Sequence, residues 1–518
     1  MRRLLQLVIP CVLLSGCFGP GEGVEVPKDQ IYFPVGLALD KGAQHLFVVS
    51  SDFDLQYNGG AVQSFNLDPL QQNQLPQLCE ADADCAKGAC EGGLCACPQG
   101  DRADSDRLLF PGRCNPIDPK DVKVASVKIG AFATDAVLRQ RPKMIDPKTQ
   151  TESVDGALEG PTDAAPERLF VPVRGDSTLH WIDLRDGSLE CGQASSADGS
   201  CDSAHRAGDD PTDNPRGIKL NSEPFAIDAS ARGDTVVVSN QTTGTASLFV
   251  NDWTTSRGPQ LKFALASDRI PSRPVGLAAV PQPLAPGEVP DPNNTDTFLM
   301  TFRNSAQVRL FRFAPDTTAA DVDTAQARQY LVDGGGVGID ANSVGSDSRG
   351  IAIDASARKL AKDRCVAGDE ACIGAAGLVP LDVYVANRAP STLLIGRTRP
   401  PQEYPYFFQS VPLTAGPSHV VVGEVTTPSG EKETRVFVAC FDSRRVFVYD
   451  PQRSRIETEI LTGRGPHALV VDPSRRLLYV GHFTDSYVGV YSLDLAHPAT
   501  YGTLLGTLGN PKSPRASK

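Results

Sequence analysis

Apolar residues fall in short runs that recur in threes along the chain. Between Gly465 and Leu493 the runs are Ala468–Val471, Leu477–Val480 and Tyr487–Leu493, parted by a Pro-Ser-Arg-Arg turn and by residues 482–486. Each is rich in Val, Leu or Tyr and too short for a helix, so each predicts a buried or half-buried strand. The triplet repeats upstream, and its middle member aligns most readily: Leu46–Ser50, Leu169–Val173, Val236–Asn240, Phe298–Phe302, Val383–Asn387, Val436–Cys440 and Leu478–His482. Before most of these lies an apolar strand opened by a proline (Pro34, Pro224, Pro274, Pro417, Pro466). Arg349–Ile353 takes that place in the fifth unit and Phe132–Leu138 in the second. A third strand follows, as in Val62–Leu67, Leu179–Leu184, Val308–Phe313 and Val446–Asp450. A more polar fourth closes the unit, as in Val122–Ile129, Gln260–Leu265, Ile456–Leu461 and Thr503–Leu508.

Seven four-stranded units in one chain predict a β-propeller, because each unit leaves apolar faces that only its neighbours can cover. Separate sandwiches are excluded by size, since the last two units start 466 − 417 = 49 residues apart. The expected fold is all-β: a seven-bladed β-propeller over residues 31–510, four antiparallel strands per blade. A small cysteine-rich insertion occupies 69–121, and a disordered tail is expected over 511–518. The strands Tyr384-Val385-Ala386-Asn387, Tyr479-Val480-Gly481-His482 and Val237-Val238-Ser239-Asn240 resemble the hallmark of the YVTN family of β-propellers, a Tyr-Val-Thr-Asn strand after a Gly-x-x-Pro strand. The resemblance implies the fold and says little of function.

Charge and cysteine usage narrow the function classes. With 50 Lys+Arg against 62 Asp+Glu the net charge is −12, which disfavours nucleic acid and anionic membrane surfaces as partners. A monomer is expected. The first residues, MRRLLQLVIPCVLLSGC, pair a basic start with an apolar run too short to span a bilayer, so 1–16 reads as a signal peptide. Leu14-Ser15-Gly16-Cys17 resembles the bacterial lipobox. That resemblance implies a diacylated Cys17, a lipidated tether over 17–30, and an envelope protein held to the membrane by its N-terminal lipid. Phe18 rather than an Asp follows the cysteine, which favours the outer membrane. The remaining cysteines suit an oxidising compartment. Cys79, Cys85, Cys90, Cys95, Cys97 and Cys114 crowd together in any of fifteen pairings, Cys191 with Cys201 and Cys365 with Cys372 look like local pairs, and Cys440 is left over as a buried thiol.

Six long segments separate the strands: Asp68–Asp121, Arg139–Glu167, Arg185–Arg216, Pro281–Asp296, Ala355–Leu381 and Gly423–Glu433. All read as connections from first to second or third to fourth strands. In an antiparallel blade these emerge at one end, so they decorate one face and leave the other plain, apart from Asp333–Ser348 with its GGGVG run. The tether enters a first strand and so approaches the plain face. An envelope protein or glycan partner is expected on the insert-bearing face.

Candidate chemistry is sparse. His419, His467 and Arg349 open first strands and are the channel-mouth candidates for a metal or a general base. His419 falls one place later than His467, which sends its side chain to the other face of the strand. Asp40, Asp354 and Asp472 read as turn-initiating carboxylates. Glu80-Ala-Asp82-Ala-Asp84 offers alternating carboxylates to calcium but lacks the Gly and distal Glu of an EF-hand loop. No catalytic residue, cofactor or resident metal is assigned. The primary reading is a binding or scaffolding propeller; the alternative is an enzyme of the lactonase or quinoprotein-dehydrogenase kind, with its site at the channel mouth.

Overall fold

A computed structural model describes residues 23–103, 111–144, 158–159, 165–192, 199–214, 216–253, 257–286, 288, 295–315, 329–339 and 347–511. Cys17 and the signal segment lie outside the described residues. The chain forms seven sheets, each antiparallel and each laid down in sequence order from its innermost strand outward. The innermost strands are Pro34–Leu39, Val137–Gln140, Pro224–Ala229, Pro274–Ala279, Ser348–Asp354, Pro417–Thr426 and Pro466–Asp472. This is a seven-bladed β-propeller.

The second strands explain why the ring forms. His45–Ser50, Thr235–Asn240, Thr297–Phe302 and Leu477–His482 are buried at every position. Successive side chains of a strand point to opposite faces, and here each face meets a different neighbour. Leu46 and Val48 enter the core shared with blade seven, while Phe47 and Val49 enter the core shared with blade two. Tyr479 faces blade one, and Leu478 with Val480 faces blade six. Seven such interblade cores run round the ring.

A second repeated device fixes each blade at the channel. A residue at or just after the end of the second strand donates its N–H to a carbonyl that precedes the first. The bonds are Ser51 to Phe33, Arg174 to Phe132, Gln241 to Glu223, Arg303 to Arg273, Arg388 to Asp347, Phe441 to Gly416 and Phe483 to Gly465, all 2.8–3.1 Å. Six of the acceptors have positive φ: Phe33, Phe132, Glu223, Arg273, Gly416 and Gly465. Two of them are glycine, the residue that tolerates this conformation best. The chain thus turns abruptly ahead of the inner strand in six of the seven blades. Those strands approach closely: a Cβ on Gly350 would lie 3.0 Å from the Cα of His419 in the next blade.

Several elements differ from expectation. The inner strand of blade two is Val137–Gln140 rather than Phe132–Leu138. Only Ala133 bridges to Val173 before it. Between them, side chains replace the ladder: Asp135 accepts from the amides of Ala136 (2.8 Å) and Ile227 (3.3 Å), and Thr134 Oγ1 donates to the Phe225 carbonyl (2.7 Å). Segment 185–216 is not a third-to-fourth connection. It interrupts an outermost strand whose two pieces, Ser188–Glu190 and Arg206–Ala207, both pair with Thr178–Arg185. Segment 423–433 is mostly hairpin, since Gly423 pairs with Arg435 and Thr426 with Lys432. The GGGVG run lies inside the outermost strand of blade four, Tyr330–Gly338, not in a link. The other long inserts are first-to-second or third-to-fourth connections and share one end of the disc.

The cysteines pair as expected, and the lobe they staple takes a specific place on the ring. Its disulfides are Cys79–Cys90, Cys85–Cys95 and Cys97–Cys114; Cys191–Cys201 and Cys365–Cys372 are the local pairs, and Cys440 is free and buried. Asp84 accepts from the amides of Glu80 and Ala81, and Asp82 from Cys90, so these carboxylates hold the lobe's own turns. Rather than standing free, the lobe lies on the rim across the seam between blades one and seven. No strand is exchanged there, because blade one is wholly N-terminal and blade seven wholly C-terminal. Instead Ile117 donates to Thr507 (2.8 Å) and accepts from Gly509 (2.9 Å), extending the outermost strand of blade seven. Leu70, Leu75, Leu94 and Ile117 join the core with Val48, Tyr479, Leu505 and Leu508.

The lobe is therefore a clasp, and cutting it weakens the whole ring. Ile117→Ala is expected to cost about 2–4 kcal/mol. Replacing Cys97 and Cys114 by alanine frees a loop with a sequence separation of 17 and removes about 3 kcal/mol more. Urea unfolding read by tryptophan emission should show the main transition moving to lower urea in both variants. An early, separate transition with the main midpoint unmoved would mean that the lobe is ornament.

Candidate functional site at the channel mouths

The plain-face mouth carries the histidines. Five phenylalanines from tight links gather there: Phe483 lies 5.1 Å from Phe33, 5.2 Å from Phe53 and 6.3 Å from Phe441 between ring centroids, and Phe53 meets Phe132 edge-on at 6.0 Å. His467 packs 6.2 Å from Phe483, and His419 stands 6.2 Å from His467. Alternation along the two inner strands turns His419 toward blade seven and His467 toward blade six, opposite faces of equivalent strands that look at each other across the seam between those blades, so the two rings meet. The β-bulge between Pro417 and His419 lies ahead of the histidine, which pairs with Ala439 in register with the rest of its strand. Burial holds both imidazoles neutral, with His467 lowered to about 4 and His419 to about 3, the latter also because His467 is near.

Arg349 belongs to a separate cluster on the same mouth. Its Nε lies 2.8 Å from Asp347 Oδ1, and Arg303 reaches the same oxygen at 3.8 Å. Arg388 pairs with Asp442 and Arg174 with Glu223 at 2.7 Å. Among the described residues the one group of three metal-type side chains is Cys79, Cys85 and Cys95, whose sulfurs are already in disulfides. The two histidines gather no third ligand of that kind.

The larger site lies at the opposite, insert-bearing mouth. A cavity of about 900 Å³ opens there, lined by the first-to-second turns of blades one to four. Asp40 both holds its own turn, accepting from the amides of Gln44 (2.7 Å) and His45 (3.1 Å), and pairs with His45 Nδ1 at 2.7 Å. Glu167 accepts from the Lys41 amide at 2.8 Å, yet burial raises its pKa above the ordinary glutamate value. Arg232 bridges Glu159 (2.6 Å) and Asp234 (3.1 Å). Behind it Trp253 Nε1 donates to Asp234 Oδ1 at 3.2 Å. Burial, with Glu159 and Asp296 adding repulsion, lifts Asp234 to about 6 against the pull of Arg232; Asp296 is raised by burial as well. Two carboxyl groups with raised pKa, Glu167 and Asp296, thus line one cavity, and a third, Asp234, stands behind its Arg232, the pattern of an acid–base or polar-ligand site.

Sequence reasoning placed Asp40 only as a turn residue and passed over His45, Glu167, Arg232 and Asp296. They come from different blades at no fixed spacing. The signal available was weaker: charged residues at corresponding ends of first and second strands in neighbouring units.

No protein-family model and no curated protein matches the chain. Among solved structures, a putative 6-phosphogluconolactonase from Bacteroides uniformis covers 83% of this chain over 86% of its own, at 13% identity and a TM-score of 0.43. The periplasmic gluconolactonase of Pseudomonas aeruginosa covers 84% over 86% of its own length, at 15% identity and 0.43. Hydrazine synthase of Kuenenia stuttgartiensis covers 91% over 98%, at 12% identity and 0.41.

The two neutral histidines make stability pH-dependent in a defined direction. A depressed folded pKa stabilises fully above the unfolded value near 6.5, and that stabilisation is lost as pH falls toward the folded value. Between pH 6.5 and 5 each imidazole should cost at most about 2 kcal/mol, an upper bound because both keep some access to the channel. Raised carboxyls such as Asp234 act in the opposite sense and are common to both chains compared. Urea midpoints at pH 7 and pH 5 should therefore fall further in the native chain than in His419→Gln/His467→Gln. Equal falls would mean that these imidazoles are solvated.

Proposed function

We propose that this protein is a lipid-anchored β-propeller of the bacterial envelope whose insert-bearing mouth binds a glycan. The observation that carries the reading is the 900 Å³ cavity, whose wall mixes Asp40, Glu167, Asp186 and Asp296 with Lys41, Arg141, Lys143, Arg232 and the amides Gln44, Gln140 and Gln282. Planar carboxylate, amide and guanidinium groups match vicinal hydroxyls two bonds at a time. Pro142, Leu158, Pro166 and Leu284 supply apolar surface for the sugar's C–H faces. The envelope address is supported by the signal-like start and the lipobox-like Leu14–Cys17. Among the described residues no helix is long and apolar enough to cross a membrane. The seven units are read as YVTN-type repeats serving as a rigid frame for variable connections.

A second reading is favoured by the raised carboxyls: Glu167 or Asp234 acting as a general acid on the bound sugar. The two separate cleanly. Glu167→Gln should abolish turnover with binding retained if the site is catalytic, and should weaken binding alone if it is not.

Trp253 serves as the reporter, since it touches the Arg232–Asp234 pair and the sequence has only 2 tryptophans. Titration with tetrasaccharides of neutral, amino and uronic sugars should change its emission, and Arg232→Ala should weaken the response by roughly tenfold or more. Silence toward every sugar in both emission and calorimetry would sink the reading. Anchoring is checked separately: a clickable fatty acid fed to the expressing cells should label the native chain and not Cys17→Ala.

A further inference from the structure

The first described residues are docked on the link between the second and third strands of blade one. Val24 donates to the Gln56 carbonyl (3.4 Å), Asn58 N–H donates to the Val24 carbonyl (2.9 Å), and Asn58 Nδ2 bonds Glu25 (3.0 Å). Such links lie at the plain end of the disc, so the chain preceding residue 23 leaves from that face. From Cys17 to Gly23 there are six residue steps, which reach at most about 20 Å fully extended. A lipid on Cys17 therefore cannot hold a bilayer further than that from the plain mouth. The insert-bearing mouth, at the other end of every inner strand, is on the far side.

The surface so placed suits an interface. Val24 is 58% and Phe53 51% exposed on this face. Phe53 is held rigidly by Phe132 and Phe483 rather than dangling, so its insertion costs little side-chain entropy. Aromatic side chains favour the headgroup level of a bilayer. Arg273 is exposed at the same mouth, and arginine pairs readily with phosphate. The net charge of −12 supplies no long-range attraction to anionic lipid, so the contact depends on the anchor to bring the face down.

We infer that the plain face is the membrane-contacting surface: Phe53 and Val24 rest in the headgroup region of the bilayer holding the Cys17 lipid, which covers the channel mouth beside His467. This rests on the reading of Cys17 as lipidated. The test uses the full lipid-bearing chain in phosphatidylcholine vesicles with or without bromine on the acyl chains. A tryptophan is introduced by Phe53→Trp on the plain face or by Leu360→Trp, at a 53% exposed position of the insert-bearing helix Ser356–Asp363. Emission from Phe53→Trp should shift to the blue and be quenched by the brominated lipid beyond the parent chain's background, and that of Leu360→Trp should not. Flotation of the chain with an unquenched Phe53→Trp, or quenching of Leu360→Trp alone, overturns the inference while anchoring stands. Flotation of Cys17→Ala equal to the native chain defeats the anchoring reading instead, and quenching of Phe53→Trp in that background would leave the face assignment supported. A chain that neither floats nor is quenched defeats both.

Discussion

Everything in this molecule follows from second strands that are apolar on both faces. A strand such as His45–Ser50, buried at every position, cannot stop at one neighbour, because each sheet offers the next an equally apolar surface. An open row would leave two faces in water, and burying a side chain such as Phe47 or Tyr479 is worth about 1.5–3 kcal/mol. The ring is therefore closed by the same interaction that builds each blade. What the interaction does not supply is a lock at the seam. The lobe between Leu67 and Val122 provides one by placing Leu75, Leu94 and Ile117 into the blade-seven core and adding Ile117 to the outermost ladder.

The strands are committed to packing, so chemistry is left to the connections, and the two ends of the disc receive different kinds. At the insert-bearing end the inner strands of blades one, five and seven finish in turns opened by a carboxylate. Asp40, Asp354 and Asp472 each accept backbone amides two to four residues on. At the plain end the links are tight, and six of the seven pass through a left-handed residue. Phenylalanines of blades six, seven, one and two gather at that mouth, with arginines of blades four and five beside them.

Legibility follows the same division. The seven second strands could be read because burial on both faces writes an unbroken run of Val, Leu, Phe and Tyr, which survives any local irregularity. The first strand of blade two could not, because Thr134 and Asp135 satisfy the backbone with side chains, and polar residues there look like a loop. The face of His419 could be read from alternation, but its meeting with His467 could not, because that needs the two blades set side by side. The sidedness of the inserts needed only strand parity and held wherever the connection was a true loop; it failed at 185–216, where the outermost strand itself is broken. The cavity left only a weak linear trace, charged residues at the ends of first and second strands. Asp40, Glu167, Arg232 and Asp296 are neighbours only because blades one to four stand side by side.

One consequence is that the central channel has a direction. Its plain end carries phenylalanine against neutral imidazoles on one side, where a polar ligand would lose water for little in return, and arginines largely engaged by their own carboxylates on the other. Its other end is walled by carboxyl, guanidinium and amide groups that folding has already fixed in place, with burial raising Glu167 and Asp296 on the wall and Asp234 behind Arg232. A hydroxylated ligand there exchanges water for hydrogen bonds with groups that are already in place and need little reorganisation. On the lipid-anchored reading the apolar end also faces the bilayer, so the end chemically fitted to a soluble ligand is the end that solvent reaches. Chemistry and orientation then impose the same order: anchor, apolar mouth, packed ring, polar cavity, solvent.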